Sequence, residues 1–302
     1  MVQIPRWQPV VWSVAYFLLL MTLVTPFSIL TVSFLLIPPL ILYMIRGPRW
    51  FWIYLAIPLA AMLLLLQGWG LPVAVISLFF LPPALLMGEM YRRQQPARIA
   101  VFSGAAAIIA ELVIALAAAY ALDVQFIRDV ERALWENYYA LPDMMRTDAT
   151  EEAMSRTIEY AVRMIPLLMI VTAMFYVTVT HALGGRMLRM MGVSVPSFPR
   201  IRDWMLPKSL IWYYLVAMLL DLFVRKDVDS LLTMILINGI PLLMIAFCAQ
   251  AVSFLAFVSH HKGWGILLPL VGVVFSLFLP NVVSLVGVLD AAFPLRQGIQ
   301  KR

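Results

Sequence analysis

Residues 98–122 read RIAVFSGAAAIIAELVIALAAAYAL, and this stretch decides the fold. After Arg98 it holds one charged side chain, Glu111, near its middle. A helix of this length exceeds the roughly 20 residues that cross the hydrocarbon core of a bilayer. Comparable apolar segments fall at 10–24, 27–45, 49–66, 71–90, 158–182, 208–224, 230–259 and 264–293. The reading is an all-α, polytopic transmembrane helix bundle of about nine to ten spans. Composition agrees: 63% of the 302 residues are hydrophobic and 13% charged, with a mean hydropathy of +0.93. Soluble domains run near half apolar and a quarter charged, and a soluble core cannot absorb so much apolar surface.

The first run, from Val10 to Val24, follows Arg6 as a signal peptide would. No small-x-small cleavage site follows and the chain turns apolar again at Phe27, so it reads as an uncleaved span. Turns are marked by Pro26, Gly47-Pro48 and Gly68-Trp69-Gly70. Prolines within spans, such as Pro58, Pro166 and Pro241, predict kinks, which membrane helices tolerate when neighbours satisfy the freed carbonyls.

The net charge of +6 does not mark a nucleic-acid protein, because the basic residues are scattered among hydrophobic runs with no basic, aromatic-interleaved domain. They report topology. With the N-terminus inside, inner loops hold Arg6, Arg46, Arg49, Arg92, Arg93, Arg98, Arg186, Arg189, Arg200, Arg202, Lys208 and Lys262. The outer loops hold Arg128, Arg132, Arg146, Arg156, Arg225 and Lys226, half as many. Cytoplasmic loops carry the excess of Arg and Lys, so the N-terminus is placed in the cytoplasm. The segment 264–293 is interrupted at Pro280-Asn281. A hairpin there returns Arg296, Lys301 and Arg302 to the cytoplasm and is the favoured reading, with a re-entrant pair or one kinked helix as alternatives.

Two connections are long. In 123–157, Val124, Ile127, Val130, Leu134 and Tyr138 recur at helical spacing, which predicts an amphipathic helix on the outer surface, packed on the bundle or acting as a lid. The second, 184–207, is a basic cytoplasmic loop. It reads as a solvated anchor, and its Arg186, Arg189, Arg200 and Arg202 are candidates for docking a cytoplasmic or membrane partner. The domains are therefore 1–183, 184–207 and 208–302.

Ionisable groups inside spans cost roughly 2.5–3.5 kcal/mol each on insertion scales, so each requires a reason. Glu111 is the leading candidate for ligand binding, since no charge lies within a turn of it on its own helix. Arg163, one turn into the next span, is a candidate partner, although Glu159 stands four residues before it in the favourable order for a local ion pair. Glu89 is placed to meet Arg93, and Asp221 to meet Arg225. Asn238 and Gln250 read as interhelical hydrogen-bonding amides, and Asn238-Gly239-Ile240-Pro241 predicts a break. The small residues Ser103, Gly104, Ala105, Ala106, Ala107 and Ala110 predict close helix approach beside Glu111.

No GxxxxGK[ST], HExxH or GxSxG motif occurs, so an enzyme is not expected. The single Cys248 excludes an intramolecular disulfide framework. His181, His260 and His261 lack zinc-site spacing, and neither metal nor cofactor is expected.

The Pro166 span followed by Phe198-Pro199-Arg200-Ile201-Arg202-Asp203-Trp204-Met205-Leu206-Pro207, with Leu81-Pro82-Pro83 to Gly88 and Arg92-Arg93 upstream, resembles the YybS-like family of bacterial multi-pass membrane proteins. The first six spans are similar in turn to the S components of energy-coupling-factor (ECF) vitamin transporters, six-helix bundles that bind a micronutrient near the outer face. That resemblance implies a bacterial plasma-membrane location, a small solute, and a pocket among Glu111, Tyr160, Arg163 and the 123–157 loop. The first helix departs from the S-component pattern: Ser13-Val14-Ala15-Tyr16-Phe17 lacks alanine-x-x-x-alanine, and the spans from 208 onward have no counterpart. The expectation is a solute-binding or transport-related protein in contact with the lipid bilayer. The alternative is a non-transporting scaffold or regulator that docks a partner through 184–207.

Overall fold

The computed structural model describes residues 5–224, 230–293 and 295–300. Arg225 and Lys226 of the outer count, the expected Asp221–Arg225 contact, and the tail residues Lys301 and Arg302 lie outside them. The expected all-α membrane bundle is what the structure shows: among the described residues there are fourteen α-helices and no strand. They are α1 (Gln8–Thr22), α2 (Ser28–Thr31), α3 (Ile37–Leu65), α4 (Gly70–Phe79), α5 (Leu81–Arg92), α6 (Ala97–Ala121) and α7 (Phe126–Tyr139). There follow α8 (Asp148–Arg163), α9 (Ile165–Met190), α10 (Ser209–Phe223), α11 (Leu231–Lys262), α12 (Leu267–Phe278), α13 (Pro280–Ala292) and α14 (Leu295–Gln300). Among the described residues five stretches are long and apolar enough to cross a membrane: Ser28–Leu65, Gln67–Arg92, Ala97–Ala121, Ile165–Met190 and Leu231–Lys262. Helices α1, α10, α12 and α13 are shorter and apolar.

The chain forms two compact units, Met1–Phe126 with Met169–Phe198, and Ile127–Leu168 with Pro199–Arg302. In the first unit, Gly47 takes φ +72 and ψ 173, a conformation that favours glycine, and reverses the chain within α3. The contacts on either side show the reversal. Tyr43 packs against Gly88, and Arg92 lies beside Gly47, so residues 37–46 run alongside the end of α5. Beyond the turn, Ser13 Oγ donates to the Tyr54 carbonyl (2.7 Å), so residues 48–65 leave in the same direction as α1. The centre is filled by Tyr16, Leu20, Leu40, Phe51, Met87 and Tyr91, all fully buried. The small residues of α6 permit the expected close approach: a Cβ on Gly104 would meet Met87 Cγ at 2.7 Å and Val177 Cγ1 at 3.0 Å. Near the Gly47 end, the Tyr91 hydroxyl and His181 Nδ1 share a buried 2.6 Å hydrogen bond that ties α5 to α9.

In the second unit, Pro166 breaks the predicted 158–182 span into α8 and α9, because proline supplies no N–H and clashes with the preceding turn. The freed backbone groups find one partner. Asn238 Nδ2 donates to the Arg163 carbonyl (2.9 Å), and its Oδ1 accepts from the Leu167 N–H (2.9 Å). The break expected at Asn238–Pro241 is absent. Helix α11 runs unbroken through it, and Asn238 repairs a break in another helix instead.

The segment after α11 is a hairpin turned at Leu279-Pro280. Ser259 Oγ donates to the Gly265 carbonyl, Gly272 packs on Leu255, and Cys248 Sγ reaches the Pro280 carbonyl at 3.4 Å, so α12 descends antiparallel to α11. Gly287 then sits on the Phe247 carbonyl, Asp290 on Gln250, and Arg296 over the Phe257 ring, so α13 climbs back. Arms of 12 and 13 residues reach only about 18–20 Å. Each arm is shorter than the roughly 30 Å core, the length expected of a re-entrant pair, and the tip lies beside the middle of α11.

Candidate functional site

Glu111 lies on α6 in the first unit. Both carboxyl oxygens are buried and have no hydrogen-bond partner. Helices α6 and α9 run antiparallel, with Gly104 against Val177. Seven residues further along α6, about 10 Å, puts Glu111 at the depth of Val171 and Thr172. At that depth the first unit has an open cleft of about 640 Å³ lined by Pro26, Phe27, Leu30, Thr172, Phe175 and Tyr176 among others. Its wall is almost wholly apolar. Glu111 is not one of the lining residues.

Tyr160 and Arg163, the other two candidates, lie on α8 in the second unit. Arg163 Nη2 donates to Glu159 Oε1 at 2.7 Å, the local pair that the spacing predicted. Tyr160 is 47% exposed. The three residues are thus divided between the two units.

The amphipathic helix expected in 123–157 is α7. It carries an aromatic cluster of Trp135, Tyr138 and Tyr139, and the Tyr138 hydroxyl bonds Thr150 Oγ1 at the start of α8 (2.9 Å). Val130 and Leu134 of its apolar face remain exposed.

The second unit holds a buried polar cluster that the sequence reading missed. Asp290 is fully buried on α13, the returning arm of the hairpin. Arg296 grips it with two nitrogens, Nε to Oδ1 (3.1 Å) and Nη2 to Oδ2 (2.7 Å), a charge-assisted bidentate pair. Gln250 Nε2 also donates to Oδ2 (2.5 Å). The same groups hold the stretch 201–206, whose backbone lacks regular partners apart from a short 3-10 turn at Ile201–Asp203. Arg296 Nη1 donates to the Arg202 carbonyl (2.6 Å), and Gln250 Oε1 accepts from the Leu206 N–H (2.9 Å). Ser253 Oγ lies 2.7 Å from the Ile201 carbonyl and 2.9 Å from that of Trp204. The proline-flanked motif is therefore fastened to α11 and, through Arg296, to α14.

The four candidate docking arginines differ in setting. Helix α9 continues through Gly184-Gly185, so Arg186 and Arg189 ride exposed on its last turns. Arg200 is exposed before the 3-10 turn, and Arg202 Nε lies 3.9 Å from Asp203. Among the described residues no group of three or more His, Cys, Asp or Glu side chains is placed to hold a metal ion.

A family model described as "Predicted membrane protein (DUF2232)" matches residues 13–291, and the chain belongs to that family. No curated protein and no solved structure matches.

Proposed function

We propose that this member of the family binds a small, largely apolar solute within its first unit and serves its transport, without catalysing a reaction. The observation that carries the reading is Glu111. A carboxyl buried in a span without a protein partner forfeits hydrogen bonds worth about 1–3 kcal/mol, and a solute that enters from the cleft and parts the side chains covering Glu111 restores them. The cleft at the same depth offers Phe27, Phe175 and Tyr176 to an apolar body. On this reading the first six spans act as S components do, binding the solute near the outer face. With the N-terminus in the cytoplasm of a bacterium, as the arginine count favours, the cleft faces the outer half of the plasma membrane. Thermal unfolding of the purified chain against a panel of vitamins and their precursors tests this. One chemical class should raise the midpoint by several degrees, and Glu111→Gln should remove most of the shift. A panel without effect, or a shift untouched by the substitution, sinks the reading.

A second reading, a scaffold that docks a partner through 184–207, draws on the fastening of residues 201–206 to Gln250, Ser253 and Arg296. A merely solvated anchor has no need of a fixed backbone. Replacing Arg186, Arg189, Arg200 and Arg202 together by Gln should release a co-purifying partner, and an unchanged set of associated proteins would count against it.

A further inference from the structure

The turn that reverses the first unit gathers cations without matching anions. Arg46 and Arg49 flank Gly47-Pro48, and the Arg92 guanidinium lies 3.8 Å from where a Gly47 Cβ would stand. Arg46 Nη2 reaches the Arg6 carbonyl at 3.4 Å, which brings the exposed Arg6 to the same end. With Arg93, five arginines share this corner with one carboxylate, Glu89. That carboxylate is already taken, accepting from Arg93 Nε at 2.8 Å and from the Tyr43 hydroxyl at 3.0 Å. Arg46 Nε is buried and has no hydrogen-bond partner. The Arg46 and Arg92 guanidinium groups lie over the rings of Tyr54 and Tyr43, at 5.6 and 5.5 Å. Such stacking orients the planar fork and leaves its N–H groups for an acceptor.

What lies beside these cations identifies the acceptor. Trp7, Trp50 and Trp52 are 62%, 52% and 53% exposed, and each is a near neighbour in sequence of Arg6 or Arg49. Exposed tryptophans at the ends of spans sit at the headgroup level of a bilayer, where one edge of the ring is apolar and the other wet. At that depth the abundant acceptor is a lipid phosphate, and several juxtaposed arginines favour an anionic lipid. We propose that Arg46, Arg49 and Arg92, with Arg6 and Arg93 around them, form a binding site for the headgroup of an anionic bilayer phospholipid.

Native mass spectrometry of the full chain tests the site, using protein released from nanodiscs of equal parts phosphatidylglycerol and phosphatidylcholine. The unmodified protein should retain phosphatidylglycerol preferentially. Arg46→Gln with Arg92→Gln should lower that preference roughly twenty-five-fold, at about fivefold per basic residue lost. The control pair Arg128→Gln and Arg132→Gln, equal in charge lost but on α7, should leave it intact. Arg46→Lys with Arg92→Lys keeps the charge and should preserve most of the preference, which guards against a Gln pair that merely misfolds. In the unmodified protein, salt at about 1 M, where screening acts within about 3 Å, should abolish the preference. The proposal is overturned by equal retention of the two lipids or by equal loss in the control pair. Displacement of the lipid by millimolar inorganic phosphate, which would mark a free-anion site, also overturns it, as does displacement by polyglutamate, which would mark a protein-docking surface.

Discussion

Asp290 has no exposed surface, and its partner Arg296 has only 13% of its side chain exposed. Burying two charges is costly, and bidentate geometry with further hydrogen bonds offsets the cost only while both partners are present. Arg296→Met should therefore destabilise the protein by about 3–5 kcal/mol, read as a lower thermal unfolding midpoint. Asp290→Leu combined with Arg296→Met should recover most of the loss, since no unpaired charge then stays buried. A single variant that unfolds at the original midpoint would show that the pair anchors nothing. One turn earlier on α13, a Cβ on Gly287 would collide with the Phe247 carbonyl of α11, a backbone atom that cannot step aside. Gly287→Ala should cost about 3 kcal/mol or more, whereas Gly239→Ala, with open space around it, should change stability little. The sequence hid Asp290 for a physical reason. Its counter-ion stands six residues on, past the end of the helix, so no i,i+4 rule links them. Its other partner, Gln250, lies 40 residues away along the chain. Glu159–Arg163, by contrast, obeyed the helical rule and was legible at once.

At the scale of elements, prolines and glycines spoke clearly where they act on their own helix. Pro280-Asn281 announced the turn of the hairpin, and Gly47-Pro48 the reversal within α3. Pro241 misled, because α11 tolerates it and Asn238 beside it serves the gap made by Pro166. What a proline does to its own helix is local, but whether the freed groups find partners depends on contacts made in three dimensions. The re-entrant reading of α12 and α13 makes a labelling prediction. In a Cys248→Ala background, single cysteines at Leu277 or Leu279 near the tip should resist membrane-impermeant maleimide from either side. Cysteines replacing Lys262 and Gly298 should react from one common side, since both lie at the end where α11 closes. Reaction of the tip from the opposite face would show a full crossing instead.

For the whole molecule, the bundle was legible because 63% apolar composition leaves a chain of this length no soluble solution. Its division into two units was less so, since residues 127–168 join the C-terminal helices through contacts that span some seventy residues. The orientation of the first unit can be checked by alkaline phosphatase fusions, which are active only outside the cytoplasm. Fusions after Val24 or Asp123 should be active and those after Pro48 or Gln94 silent, and the reverse pattern would invert the topology. The fastening of residues 201–206 also sets a timetable for biogenesis. Arg202 is synthesised 94 residues before Arg296, an interval on the order of ten seconds during translation. Until Gln250 and Ser253 are made, about midway through it, the motif has no clasp, and Asp290 in turn emerges ahead of its counter-ion. The second unit therefore completes its polar core as a late event, after its last apolar arm has entered the bilayer. Until then the exposed motif and the lone carboxylate are what insertion factors and quality-control proteases would meet.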